Sequence, residues 1–430
     1  MTTADDAPAI SDELADLALD EIEGPQNRPE SADVFERFKD FRLADQARAV
    51  GLYPFFMPIE VNEGPEAIIN GKRVLMLGSN NYLGLTRHPK VLAAAKEALE
   101  RYGPSMTGSR LLNGTSVIHE QLEERIASFL DREAALVFTT GYQANLCVIS
   151  ALVDRGVTAV IDKMDHASIY DAAAMAAGES VRFRHNDVAH LDEVLRNLPD
   201  NAGRVVIIDG VYSMGGDIAP LPEIVEVCQR HGARLVVDDA HAIGTVGDNG
   251  RGTPTHFGLT NTEGGDGVDL VVGTFSKSLA SVGGFCTGPK FVLEHIKHFA
   301  RPMIFTASPP PASVASALAA IDCIEEEPWR VERIKEIGAR VRAALREMGF
   351  DIGTTETPII PLIIGSELKT GLFWRDLLDH GIYTNAVIVP AVPRGQSSLR
   401  TSYVATHTDE QIDGALELFG ELARKHKIID

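Results

Sequence analysis

Between residues 74 and 272 the chain repeats one pattern: short, apolar, β-rich runs with almost no polar alternation, separated by stretches of helical spacing. The runs fall at 74–77, 135–138, 159–161, 181–183, 205–208, 234–237 and 269–272. A strand without polar alternation has no face to offer water, so both of its faces must be covered. Helices between successive strands provide that cover, and the expected product is an α/β fold, a mostly parallel sheet sheathed by helices. In such a sheet ligands gather beyond the carboxyl ends of the strands, so the residues that follow each run are where chemistry is sought.

The pattern changes past about Pro309. A charged helical segment at 314–348, strands at 359–364 and 382–389, and a closing helix at 409–426 begun by Thr408 and Asp409 read as a smaller α+β domain. Before the repeats lies an acidic stretch to about Pro29, which reads as a solvated tail, with an acidic partner-binding helix at 14–22 as the alternative. A helical stretch at 35–49 and the strip Leu52-Tyr53-Pro54-Phe55-Phe56 form an arm, because Pro54 has no place inside a helix. A chain of 430 residues exceeds one usual core. The expected division is therefore 1–60 as tail and arm, 61–310 as the large α/β domain and 311–430 as the small C-terminal domain.

A net charge of −21 argues against a general nucleic-acid surface, and any anionic substrate must meet a local basic patch. No apolar stretch is long enough to cross a bilayer, and the first residues carry neither the basic nor the apolar part of a secretory signal. Cys147, Cys228, Cys286 and Cys323 lie far apart without metal spacing and read as reduced core residues. The histidines show no ligand-like spacing, so no metal is expected. The expected location is the cytoplasm, with peripheral contact at the inner membrane left open.

Several of the apolar runs end in reactive groups. One ends in Gly273-Thr274-Phe275-Ser276-Lys277, where hydroxyls crowd an amine; the alternative is an ordinary solvent-facing lysine at a helix start. About forty residues earlier another ends in Asp238-Asp239-Ala240-His241. An amine, a carboxylate able to pair with a pyridinium nitrogen and hydroxyls able to hold a phosphate are what pyridoxal phosphate asks of a protein. Thr139-Thr140-Gly141-Tyr142 opens an apolar helix, whose free N–H groups either receive a phosphate or merely make a turn. His241 reads as a cofactor contact or a satisfied polar histidine, and His166 as a ring stacked on the cofactor or a helix cap. Arg400 reads as a carboxylate clamp or a surface arginine on an edge strand.

These segments, together with Asp165-His166-Ala167-Ser168-Ile169-Tyr170-Asp171 and Gly210-Val211-Tyr212-Ser213-Met214-Gly215-Gly216-Asp217, resemble the α-oxoamine synthases. The resemblance runs from about Phe55 to the C-terminus. Within that family Gly108-Ser109-Arg110-Leu111-Leu112-Asn113-Gly114-Thr115, Phe183-Arg184-His185-Asn186 and Arg301-Pro302-Met303-Ile304-Phe305-Thr306-Ala307-Ser308 are similar to the soluble bacterial serine palmitoyltransferase branch. The resemblance implies a fold-type I enzyme dependent on pyridoxal phosphate, which joins L-serine to a long-chain acyl group carried by coenzyme A or an acyl carrier protein. It implies a Schiff base on Lys277, Asp238 at the ring nitrogen, His241 at the phenolic oxygen, His166 over the ring and Ser213 nearby. Gly141, Tyr142, Thr274 and Ser276 would hold the phosphate, with Thr306 and Ala307 reaching in from the second subunit of a homodimer, and Asn81 and Arg400 would meet the substrate. Two departures stand out: Asp239 where relatives usually have Glu, and Ala242-Ile243 in place of a Ser-Met pair. Sister reactions giving 5-aminolevulinate, 2-amino-3-ketobutyrate or 8-amino-7-oxononanoate are the rivals. A non-catalytic partner subunit is the remote alternative, disfavoured because Lys277 is present.

Overall fold

The computed structural model describes residues 33–39, 42–259, 267–389, 391–392 and 394–430; the acidic tail with its 14–22 segment lies outside them. In chain order the strands are β1 (Val61–Asn62), β2 (Glu66–Ile69), β3 (Lys72–Met76), β4 (Ala134–Phe138), β5 (Val157–Asp162), β6 (Glu179–Phe183) and β7 (Gly203–Asp209). They continue with β8 (Arg234–Asp238), β9 (Leu270–Thr274), β10 (Gly284–Gly288), β11 (Ile359–Gly365), β12 (Ile382–Tyr383), β13 (Asn385–Val387) and β14 (Ser397–Ser402). Seven of them form one sheet in the order β4-β10-β9-β8-β7-β5-β6. Only β10 runs antiparallel to its neighbours, so the carboxyl ends of the other six share one edge.

Both faces of this sheet are covered, as strands without polar alternation require. On one face Val236, Val272, Ile161 and Ile207 pack with Val148 and Ile149 of the helix Gly141–Leu152, Ile169 of the helix Ala167–Met175 and Leu293 of the helix Lys290–Phe299. On the other, Val160, Val206, Ile208 and Val237 pack with Leu191 and Leu195 of the helix Val188–Arg196 and Ile224 and Cys228 of the helix Leu221–His231. All four cysteines are buried and free, and burial pushes the thiols of Cys147 and Cys228 up to about 12. Among the described residues no helix is long and apolar enough to cross a membrane.

The C-terminal part carries a three-stranded antiparallel sheet, β11-β14-β13, and a four-stranded sheet joins β1, β2 and β3 from the N-terminal side to β12. Three local expectations change. The 314–348 segment is two helices, Pro311–Glu326 and Trp329–Glu347, because Pro328 cannot donate to the ladder and starts a new one. The 382–389 strand is divided: β12 pairs in parallel with β3, and β13 pairs antiparallel with β14. The 35–49 stretch holds a 3₁₀ turn, Glu36–Phe38, and a short helix, Leu43–Ala49.

Candidate active site

Five strand ends on the shared edge of the large sheet supply the site. After β4, Thr140 caps the helix Gly141–Leu152, its Oγ1 accepting the Gln143 N–H at 3.0 Å. The amides of Gly141 and Tyr142 are then the first in the helix and have no intrahelical acceptor. After β9, Thr274 Oγ1 and Ser276 Oγ lie 2.7 Å apart, and Thr274 Oγ1 donates to the Gly283 carbonyl at 2.9 Å. The two segments touch at Gly141, where a Cβ would stand 2.7 Å from Thr274 Cβ. First-turn N–H groups, a Ser276 hydroxyl that can turn from Thr274 Oγ1 to an incoming oxygen, and a close approach that only glycine permits make a cradle for an anion.

Lys277 follows that cradle and stands in the wall of a cavity of ≈430 Å³ shared with Ser79, Asn80, Asn81 and Ser313. Loss of hydration drives its amine down to about 8, against the opposing pull of Asp238 and Asp209. Asp238, at the end of β8, is 6% exposed and fixed by two donors, Asn145 Nδ2 at 2.6 Å and the Ala240 N–H at 3.0 Å. His241 is buried, and desolvation together with Lys277, Arg400 and His166 pushes its ring well below the usual imidazole range. Its Nδ1 lies 2.8 Å from the hydroxyl of the fully buried Tyr82.

His166 caps the helix Ala167–Met175 after β5, and its backbone N–H donates to Asp209 Oδ2 at 3.1 Å. Cap and cofactor contact are compatible, since the cap uses only Nδ1 and leaves the exposed ring beside Tyr142, with centroids 6.3 Å apart. Tyr142 in turn donates to Asp171. Arg400 is not on an edge: it lies on β14, the middle strand of its sheet, and is 5% exposed. Its Nε donates to the Ser213 carbonyl at 2.6 Å and its Nη2 to Asn80 Oδ1 at 3.0 Å. Asn81 shares the cavity wall, but its amide is engaged with Thr86 at 2.9 Å.

Thr306 and Ala307 lie at the outer side of the same edge. Thr306 Oγ1 donates to the Pro302 carbonyl at 2.5 Å, and the Ala307 carbonyl accepts from Thr139 Oγ1 at 2.7 Å. Neither unusual position lines the site. Asp239 is fully buried and accepts from the Thr253 N–H at 2.8 Å and Oγ1 at 2.5 Å, while Ala242 and Ile243 belong to the core. Sequence reasoning missed Tyr82, Asn80, Asn145, Ser168 and Asp209. Asn145 had a signal: it stands four residues after Gly141, on the helix face that looks back at the strand ends.

The sequence profile of class I and II aminotransferases matches residues 72–419. The chain belongs to that family. A serine palmitoyltransferase of Sphingobacterium spiritivorum is 44% identical over 382 residues, covering 89% of this chain and 94% of that protein. An 8-amino-7-oxononanoate synthase of Thermoanaerobacter pseudethanolicus is 38% identical over 386 residues, 90% of this chain and 96% of that one. A solved structure described as SPT with a PLP internal aldimine superposes with a TM-score of 0.89 at 40% identity, covering 92% of this chain and all of that one, 100%. The resemblance to α-oxoamine synthases and the fold-type I architecture read from the sequence both hold.

Proposed function

We propose that this chain uses pyridoxal 5'-phosphate to condense L-serine with a long-chain acyl thioester. The new bond joins serine Cα to the acyl carbonyl carbon, the thiol of the carrier leaves, and the serine carboxylate departs as CO2, giving 3-ketodihydrosphingosine. The observation that carries the reading is the Lys277 amine, lowered to about 8, within electrostatic reach of an Asp238 fixed by two N–H donors and next in sequence to the Gly141–Thr274 cradle. The matching relatives and the PLP-bearing neighbour support it.

The cradle fits a phosphate. Gly141 and Tyr142 would give backbone donors and Ser276 its hydroxyl, with Thr274, whose hydrogen goes to Gly283, packed beneath them, and Thr306 and Ala307 of a second copy completing the site across a homodimer. Asp238 would hold the proton of the ring nitrogen, His241 would meet the phenolic oxygen, and His166 would cover one face of the ring with Ser213 nearby. When bound, the cofactor supplies the electron sink that makes a serine Cα proton removable. Lys277 Nζ is the base for that proton, because an amine near 8 is neutral often enough at physiological pH to accept it. Arg400, held by Ser213 and Asn80, would offer its remaining N–H groups to the serine carboxylate, and Asn81 lines the cavity wall with Lys277. We place the protein in the cytoplasm, with acyl-CoA or an acyl carrier protein as donor.

The 38% identical 8-amino-7-oxononanoate synthase sustains one rival, a sister condensation with a different amino acid. Mass spectrometry of products from the holoenzyme, given serine, glycine or alanine with acyl donors of varied length and carrier, separates the two. A site built around a hydroxyl rejects its hydroxyl-free analogues strongly, so serine is expected to be used alone. Preferential use of glycine or alanine would transfer the assignment to the rival.

A further inference from the structure

Behind the cleft, four side chains form one continuous hydrogen-bonded line. Asp238 Oδ2 accepts from Asn145 Nδ2 at 2.6 Å, the same Nδ2 donates to Ser168 Oγ at 2.9 Å, and Ser168 Oγ lies 2.8 Å from His166 Nδ1. Asn145 and Ser168 are each 1% exposed, so water does not substitute for any link. Nothing in the proposed reaction requires either residue to touch substrate or cofactor.

The direction of each bond in this line is determined from its anionic end. A carboxylate accepts only, so the amide must present its NH2 and not its oxygen to Asp238. That NH2 has two hydrogens; one goes to Asp238 and the other to Ser168 Oγ. With an acceptor site on Ser168 filled by Asn145, the hydroxyl hydrogen is free for His166 Nδ1. The backbone N–H of Ser168 aims at the same Nδ1, at 3.3 Å. Two donors converge on one ring nitrogen, and that nitrogen must be the acceptor.

We infer that Asn145 and Ser168 are positioning residues that hold His166 as the neutral Nε2–H tautomer, with its remaining donor turned to the cleft, and in the same stroke clamp Asp238. The inference rests on the reading of the cleft as the pyridoxal-phosphate site, where an Nε2–H donor can orient a substrate carboxylate. Asn145 Oδ1 is buried without a hydrogen-bond partner among the described residues. Leaving an acceptor unsatisfied costs stability. An amide serving packing alone would be replaced there by an apolar side chain, so the cost marks a role for its NH2. Partial loss of hydration on its inner side also lowers His166, with Asp238 raising it and Lys277 lowering it further. The other titratable groups around the ring are His241, on which His166 acts, Asp209 at its backbone N–H, and Tyr142 beside it.

The test is ¹⁵N NMR of histidine-labelled protein, apo and cofactor-loaded, with the His166 signal assigned by comparison with His166→Gln. In the wild type Nδ1 is expected to show the shift of an unprotonated, hydrogen-bonded nitrogen and Nε2 that of a protonated one. Ser168→Ala keeps the longer backbone N–H contact but loses the hydroxyl donor to Nδ1; it is expected to give a mixture of tautomers and, since a donor to the neutral form is lost, to raise the NMR titration midpoint of His166 by about half to one pH unit. Ser168→Thr, which restores the hydroxyl, is expected to return both toward wild type. Asn145→Ala should reproduce the tautomer mixture and lower kcat about tenfold; if it does not fold, the Ser168 pair alone decides. A protonated Nδ1 in the wild type, or a Ser168→Ala protein with unchanged tautomer and unchanged His166 titration, overturns the inference. The NMR readout needs no turnover, so a wrong substrate assignment leaves the tautomer result standing and is recognised separately by the product analysis.

Discussion

Replacing Gly141 by Ala isolates the phosphate cradle from the rest of the site. The added Cβ would stand 2.7 Å from Thr274 Cβ and 2.8 Å from Thr274 Oγ1. Ordinary contact needs about 3.7 Å, so roughly 1 Å of separation must be found. Thr274 cannot provide it, because it is 6% exposed, lies on β9 between β8 and β10, and its Oγ1 is committed to Gly283 and Ser276. The movement therefore falls on the first turn of the helix Gly141–Leu152, which carries the two N–H groups meant for the phosphate. Overpacking of this kind costs about 1–3 kcal/mol. Referred to cofactor binding, that is roughly 5- to 150-fold in affinity. Titrating apoprotein with pyridoxal phosphate, followed by protein fluorescence, gives the dissociation constant directly. Pyridoxal, which lacks the phosphate, is the control, and its affinity should change less than about threefold because its contacts lie elsewhere. Equal losses for both ligands would show that the whole site had shifted, and an unchanged phosphate affinity would show that the cradle is not where the phosphate sits.

Two further outcomes follow from the shifted groups. With its amine near 8, Lys277 is about one-tenth neutral at pH 7, roughly 300-fold more than a lysine at its ordinary 10.5. The rate at which apoprotein forms an imine with pyridoxal should thus rise with pH and level off above about 8; a rate still climbing tenfold per unit at pH 9.5 would contradict the burial argument. His185 lies between Asp162 Oδ1 at 3.0 Å and Asp217 Oδ2 at 2.9 Å. Desolvation opposes its charge, yet the two carboxylate hydrogen bonds outweigh it and raise the ring to about 9. A raised folded-state value stabilises fully below the unfolded value of about 6.5 and is lost as pH climbs through 9. With the ring 32% exposed, the pH-dependent share is discounted to about 1–2 kcal/mol. Urea unfolding should therefore show His185→Ala costing more, by that amount, at pH 6 than at pH 9.5, and an equal cost at both pH values would remove the ion pairs from the account.

What could be read in the sequence was whatever rests on a chain-local signal. The parallel strands announced themselves because burial on both faces leaves an apolar run, and Lys277, Asp238, His166 and Gly141 were found because each directly follows one. The antiparallel β10 escaped notice: Gly284-Phe285-Cys286-Thr287-Gly288 is short and bounded by glycines, and it reads as the continuation of a turn. Yet this strand is hydrogen-bonded to both β4 and β9, and so brings Gly141 to Thr274. The pairing of β12 with β3 was hidden for a similar reason, since two residues on each side carry no periodicity. Tyr82, Asn80 and Asn145 were missed because their meaning lies in partners more than 90 residues away: His241 for Tyr82, Arg400 for Asn80 and Asp238 for Asn145. No spacing rule links such pairs before the sheet order is known.

The strand order also explains how so acidic a chain can keep a site for anionic reactants. Parallel strands that end together bring Asp162, Asp165, Asp209, Asp238 and Asp239 to one edge, and like charges in a poorly hydrated space cannot all stay ionised. Burial and the neighbouring Asp209 and Asp162 push Asp165 well above the usual carboxylate range, and burial with Asp238 does the same to Asp209. Asp239 is pushed up to about 7 while its oxygens serve Thr253. Asp162 takes the His185 ring and the Asn186 N–H. The charge on that edge is thus weakened, because protonation of Asp165, Asp209 and Asp239 is favoured and Asp162 is paired with His185, while Asp238 stays within electrostatic reach of Lys277. The groups left toward the cleft are then Lys277, Arg400 and the first-turn amides of Gly141 and Tyr142, cations and donors that favour a phosphate or carboxylate despite a net −21. Converting Asp209 to Asn removes a titrating group without changing its shape, and it should leave cofactor affinity nearly unaltered at pH 7 while abolishing any weakening caused by Asp209 ionisation at higher pH. A large loss of affinity at pH 7 in that variant would mean that Asp209 carries its charge there, and that the edge is balanced in some other way.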